Sequence, residues 1–132
     1  MANANEDLVR DGYAAFSAGD MEKLGSLYTD DFVHSVGGNN QLTGDYKGVP
    51  AAMGFYGQLF EQSGGTFSVD LKSVKADSDN GVVSVHRSKA ERDGKKLDAD
   101  TTLNFTVKDG KIARIDEAPS DQAAEDDFWG KA

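Results

Sequence analysis

VSVHRSKAERDGKKLDADTTL, residues 83–103, is the stretch on which the fold turns. Apolar and polar residues alternate on both sides of Asp93-Gly94, and Asp-Gly as a two-residue turn favours a type I′ hairpin. Such a turn pairs Arg92 with Lys95. Counting outward sets Ala90 opposite Leu97, Ser88 opposite Ala99, His86 opposite Thr101 and Ser84 opposite Leu103. The other face then pairs Arg87 with Asp100 and Lys89 with Asp98, and each such opposite-charge pair contributes about 0.2–1 kcal/mol. A three-residue loop would instead turn Arg87 inward with Val83 and Val85. Only the two-residue turn accounts for both charge pairs.

On both sides of this hairpin, period-two alternation covers 66–76, 81–91, 96–107 and 111–118, interrupted by Asp79-Asn80-Gly81, Asp93-Gly94 and Asp109-Gly110. Upstream of Ser63-Gly64-Gly65 the period is 3.6. Residues 6–18 place Leu8, Val9, Gly12, Tyr13 and Phe16 on one helical face. Ala18-Gly19-Asp20 stops that helix and caps a second, Met21 to Leu27, which buries Leu24 and Leu27. Asp30-Asp31 leads into a short strand, Phe32 to Val36. Gly48-Val49-Pro50 opens a third helix running to about Gln62, with Ala52, Phe55, Tyr56, Leu59 and Phe60 on its apolar face. Helices first and an antiparallel meander afterwards make an α+β arrangement of order α-α-β-α-β-β-β-β. With no linker, repeat or low-complexity segment, residues 1–132 read as a single domain.

Composition narrows the function classes. Hydrophobic residues make up 38% of the chain and charged residues 28%, which suits a packed globular core. No apolar run approaches the ~18 residues of a membrane span, and the N-terminus carries no secretory signal, so the expected location is cytoplasmic, with no membrane partner. The absence of cysteine removes disulfides, thiolate nucleophiles and cysteine-based zinc sites. The net charge of −9, with Asp116, Glu117, Asp121, Glu125, Asp126 and Asp127 crowding the C-terminus, repels phosphate backbones and argues against nucleic acid. Solubility is the simplest account of that charge. Gly37-Gly38 and Gly64-Gly65 are turn glycines rather than phosphate cradles, and no serine lies on a nucleophile elbow.

Several phrases in order carry a family resemblance: Phe16-Ser-Ala-Gly-Asp20, Leu27-Tyr-Thr-Asp-Asp31, Leu42-Thr-Gly-Asp-Tyr-Lys-Gly48, Val107-Lys-Asp-Gly-Lys-Ile112 and Pro119-Ser-Asp-Gln122. Over nearly the whole chain they resemble the nuclear transport factor 2-like, ketosteroid isomerase-related superfamily, and within it the SnoaL-like polyketide-cyclase group. The resemblance implies a cone-shaped, curved, mixed but mainly antiparallel sheet wrapped by three N-terminal helices around a ligand-sized cavity. It also implies a homodimer through the outer sheet face, where Val83 and Val85 mix with Thr102, Asn104 and Thr106, a composition suited to a partly wet interface. Ketosteroid isomerisation requires a base aspartate and an oxyanion hole of a tyrosine and a protonated aspartic acid. Those positions align with Val36, Gly12 and Leu103, so that mechanism is rejected here.

Strand phase names the cavity lining. In the favoured register His86 shares a face with Thr101, Leu103 and Phe105, and His34 is in phase with Phe32 and Val36. Ala113, Ile115 and Glu117 share a face on the last strand. Glu117 as base, with His34 or His86 as proton donor, makes a cofactor-independent acid–base set for isomerase, cyclase or lyase chemistry next to a carbonyl. Tyr13, Phe32, Val36, Phe55, Tyr56, Leu59, Thr101, Leu103 and Phe105 are the candidate ligand contacts. A carboxylate inside is costly unless paired or protonated. The alternative is a binding protein that sequesters a small hydrophobic molecule without changing it, in a pocket of the usual ~300–1,000 Å³. Two histidines and a carboxylate also match the donors of a non-haem iron site, but no compact His-x-His or His-x-x-x-His spacing exists, and no metal or cofactor is expected. Each candidate also has a plain packing role open to it, and Phe128-Trp129 reads as a segment folded back onto the sheet or a partner subunit.

Overall fold

The computed structural model describes residues 3–130. Helix α1 (Ala4–Ala18) starts where the Asn3 side chain accepts from the backbone N–H of Asn5 and Glu6, and stops at Gly19, whose φ of 73° is left-handed. Asp20 caps α2 (Met21–Ser26) through the Lys23 N–H. Strands β1 (Tyr28–Val36) and β2 (Gly44–Lys47) precede α3 (Val49–Gln62), which has Pro50 in its first turn. The meander β3 (Ser68–Ala76), β4 (Gly81–Arg92), β5 (Lys95–Lys108) and β6 (Lys111–Pro119) follows, and α4 (Gln122–Trp129) closes the chain. One six-stranded sheet results, in the order β2-β1-β6-β5-β4-β3. Only the β1–β6 pair is parallel. The class is α+β with a mixed sheet, as expected.

Two elements were absent from the expected order. Strand β2 is a polar edge strand of four residues whose single large side chain, Tyr46, offers too little alternation to be read. Helix α4 was hidden by its acids. Asp121 caps it by accepting from the Ala124 N–H, and Glu125, Phe128 and Trp129, spaced i, i+3, i+4, form its buried stripe.

The hairpin that decides the fold has the expected register. Asp93 (φ 51°) and Gly94 (φ 79°) form a two-residue turn with both φ values positive, and β4 pairs β5 from Arg92↔Lys95 through His86↔Thr101 to Ser84↔Leu103. On the outer face Arg87 bonds both Asp98 and Asp100, whereas Lys89 reaches Asp70 on β3 and leaves Asp98 to Arg87. An irregularity between Thr106 and Val107 resets the phase of β6: Ile112 and Ile115 are buried while Ala113 is only half-buried, and Glu117 keeps step with Ile115. Leu27 is likewise half-buried rather than core. The helices share the opposite face, α1 against β3 and β4, α3 against β1 and β2, and α4 against β5 and β6. Among the described residues no helix is long and apolar enough to cross a membrane.

Candidate functional site

Between the helices and the sheet lies a cavity of about 90 Å³. That is smaller than the engineered ~150 Å³ cavity known to hold benzene, so one small ring is the upper bound the walls set. Much of the lining is apolar or aromatic, including Val9, Phe16, Phe55, Leu59, Leu103 and Phe105. Set into it are Tyr13, Tyr28, Tyr56, His34, His86, Ser88, Glu117 and Glu125. Three expected contacts sit elsewhere. Phe32 is fully buried and stacked on Tyr28 at 3.9 Å, behind the wall. Thr101 is buried beyond Ser88. Val36 lines a second, smaller cavity of about 20 Å³, which shares Phe55, Leu59, Glu117, Glu125 and Trp129 with the first.

The polar groups fall into three sets. In the first, β1 and β6 run parallel and bring His34 Nε2 to 3.0 Å from Glu117 Oε1, while His34 Nδ1 lies 2.9 Å from the Tyr56 hydroxyl. Tyr56 is in turn 2.7 Å from the Tyr28 hydroxyl. One donor pattern satisfies every member: Tyr28 O–H donates to Tyr56, Tyr56 O–H to His34 Nδ1, and His34 Nε2–H to the Glu117 carboxylate. Burial raises both phenols above the ordinary tyrosine range, so they stay protonated donors. The Glu117 side chain keeps 22% exposure against 5% for His34, so the carboxylate is the reachable end of the chain.

In the second set Tyr13 on α1 reaches across to β4, its hydroxyl 2.7 Å from Ser84 Oγ and 2.6 Å from His86 Nδ1. His86 Nε2 is 3.0 Å from Ser88 Oγ, so both ring nitrogens are occupied. Desolvation lowers the His86 pKa and keeps the imidazole neutral, and burial raises Tyr13. His86 therefore faces the cavity, as the hairpin register requires, but in a group separate from His34 and Glu117. The two groups are two strands apart, because Glu117 pairs Leu103 and Leu103 pairs Ser84. At a strand spacing of ~4.8 Å the strands that carry them, β4 and β6, lie about 10 Å apart. Among the described residues no three histidine, aspartate or glutamate side chains stand close enough to hold a metal ion.

The third set went unnoticed in the sequence. Glu125 on α4 is buried, and its Oε2 accepts from Trp129 Nε1 at 2.9 Å. Desolvation first, and the nearby Glu117 charge second, push its carboxyl up to about 7. Its signal was the helical spacing from Glu125 to Phe128 and Trp129, masked by the surrounding acids. Tyr28 was missed because the expected strand began only at Phe32, whereas β1 starts at Tyr28, and Ser88 because a serine on a strand looks unremarkable.

The family model described as the SnoaL-like domain matches residues 9–115. An uncharacterized protein of Mycobacterium tuberculosis is 35% identical over 127 residues, 96% of this chain and 97% of the relative. The solved structure of Bal32a, from a soil-derived mobile gene cassette, is 37% identical with a TM-score of 0.92, over 96% of this chain and 97% of that one. A protein of unknown function with a cystatin-like fold from Xanthomonas campestris is 27% identical with a TM-score of 0.90, over 98% of this chain and 100% of that one.

Proposed function

Because this chain belongs to the SnoaL-like domain family, we propose that it takes up a small, mainly hydrophobic carbonyl compound and moves a proton on it, with Glu117 as the base. Family membership supports the scaffold, and the chemistry rests on the site. The observation that carries the reading is the contact of the Glu117 carboxylate with His34 at the accessible end of a chain of buried hydroxyls. Glu117 removes a proton from carbon next to the carbonyl. His34 holds the carboxylate in place, and Tyr56 and Tyr28 fix the imidazole tautomer. Tyr13, oriented by neutral His86 and Ser84, marks the far polar end, on the β4 side of β5 from Glu117.

Exchange of the α-hydrogens of cyclohexanone in D2O, followed by NMR, tests this directly. The protein is expected to accelerate exchange over buffer, and Glu117→Gln to remove most of that acceleration, about 10²-fold or more. Equal exchange with both proteins, or no acceleration by either, would overturn it. The second reading is storage of an unaltered ligand. It is favoured by Tyr13, His86 and His34 already being bonded to protein partners, which lets an apolar guest bind without chemistry. Cyclohexanone that binds but never exchanges its hydrogens would select that reading.

A further inference from the structure

Glu125 has no place in the relay just described, yet its position is unusual for an acid. It is 7% exposed, stands in the wall common to both cavities beside Glu117, and comes from the helix that closes the chain. Trp129 Nε1–H holds Oε2 at 2.9 Å, and among the described residues Oε1 has no hydrogen-bond partner. The carboxyl as a whole is withdrawn from water, with one oxygen pinned and the other accessible but unpartnered, which leaves that oxygen free to meet a polar group.

We propose that Glu125 is the ligand-recognising acid of the site, a neutral carboxylic acid whose free oxygen donates its proton to the carbonyl oxygen of the bound molecule. The groups around it allow this. From β6 it faces Glu117, which is engaged by His34. On its own helix Asp126 is held by the Asn39 N–H, Asn40 and Gln122. Arg92 at the end of β4 and Lys95 at the start of β5 bind the backbone carbonyls of Phe128 and Asp127 and do not reach the Glu125 carboxyl. With no cation paired to it and an acid close by, Glu125 holds its proton well above the ordinary carboxylate range, largely at pH 6 and about half at pH 7, in agreement with its raised pKa of about 7.

The assignment names a ligand class: neutral molecules with a carbonyl acceptor, in preference to carboxylates, which would meet two acids. It rests on the proposed Glu117 chemistry only for the second half of its role. When Glu117 takes the carbon-bound proton, the C–H bond breaks, a C=C bond forms, and the Glu125 proton moves to the carbonyl oxygen to give the enol. Glu125 is left as carboxylate and Glu117 as acid, and the reverse transfers, or protonation of another carbon, restore both.

The test compares cyclohexanone with methylenecyclohexane, the same shape without the acceptor, by quenching of the single tryptophan, Trp129. At pH 6 the ketone is expected to bind about tenfold more tightly than the alkene, the worth of one donated hydrogen bond. At pH 8, where Glu125 ionises, the preference should fall below about threefold. Glu125→Gln, which keeps a donor and the Trp129 bond, should hold a preference that does not change between the two pH values. Glu125→Leu should lose it at both. Equal binding of ketone and alkene by the wild-type chain, no ketone binding, or a pH-independent wild-type preference would each overturn the assignment. Loss of hydrogen exchange with the binding preference intact would sink the Glu117 chemistry while leaving this role standing.

Discussion

A single carboxyl shows how much of the site depends on burial. Glu125 has an ordinary carboxylate pKa near 4.5 when exposed and about 7 in the folded chain. Between those values the native state holds a proton that the unfolded state releases, so stability falls as pH rises through that window. The shift corresponds to at most about 3 kcal/mol, fully present below pH ~4.5 and lost by pH ~7. Urea unfolding of wild type and Glu125→Gln should diverge across this range, with the variant free of that decline. Parallel curves would mean the carboxyl is not desolvated. At this scale Glu117 and His34 were legible, because strand parity alone puts them inward. Glu125 was not: an acid in a run of acids looks solvated until the helix carrying it is docked.

Elements decide which of these side chains can meet. The loop after β1 is built to receive α4. Gly38 has a φ of 85°, and a Cβ there would overlap the Gln122 and Asp126 side chains. Asn40 is 2% exposed and donates to Asp126, while Gln41 donates from its backbone N–H to the Gly130 carbonyl and from its side chain to the Trp129 carbonyl. Gly38→Ala should therefore push the Gln122 and Asp126 side chains out of the loop and loosen α4, costing about 1–2 kcal/mol from backbone strain. The expected readout is a lower Tm with Trp129 emission shifted to the red. An unchanged emission maximum would show that α4 does not depend on this loop. The β4–β5 hairpin was legible from Asp93-Gly94 because turn geometry is local. The β1–β6 parallel pairing was not, since it joins residues about 80 apart and no turn announces it.

At the scale of the molecule, three helices make the cavity and the fourth shuts it. Phe128 and Trp129 are 2% and 4% exposed, and each such burial is worth about 1.5–3 kcal/mol, a sizeable share of the ~5–15 kcal/mol that holds a domain folded. A chain ending at Ser120 should lose several degrees of Tm, bind an anilinonaphthalene dye strongly, and show no ketone preference. A truncated chain with full thermal stability and a dry, dye-excluding core would refute the closing role of α4. The outer sheet face carries mutually satisfied ion pairs, with Arg87 on Asp98 and Asp100 and Lys72 also on Asp100. That pairing consumes the local charge within the sheet itself.

The amino-acid order by itself determined the class, the meander, the register of its central hairpin and the inward phase of His34, His86 and Glu117. Each follows from a period or a turn, physical signals that span only a few residues. Tertiary structure alone decided that His34 pairs with Glu117 while His86 joins Tyr13, that Phe32 and Thr101 stand behind the wall, and that Glu125 belongs to the site. Those outcomes depend on which distant strands lie side by side and on how much water the docked helix excludes, and neither quantity is written in any local stretch of the chain.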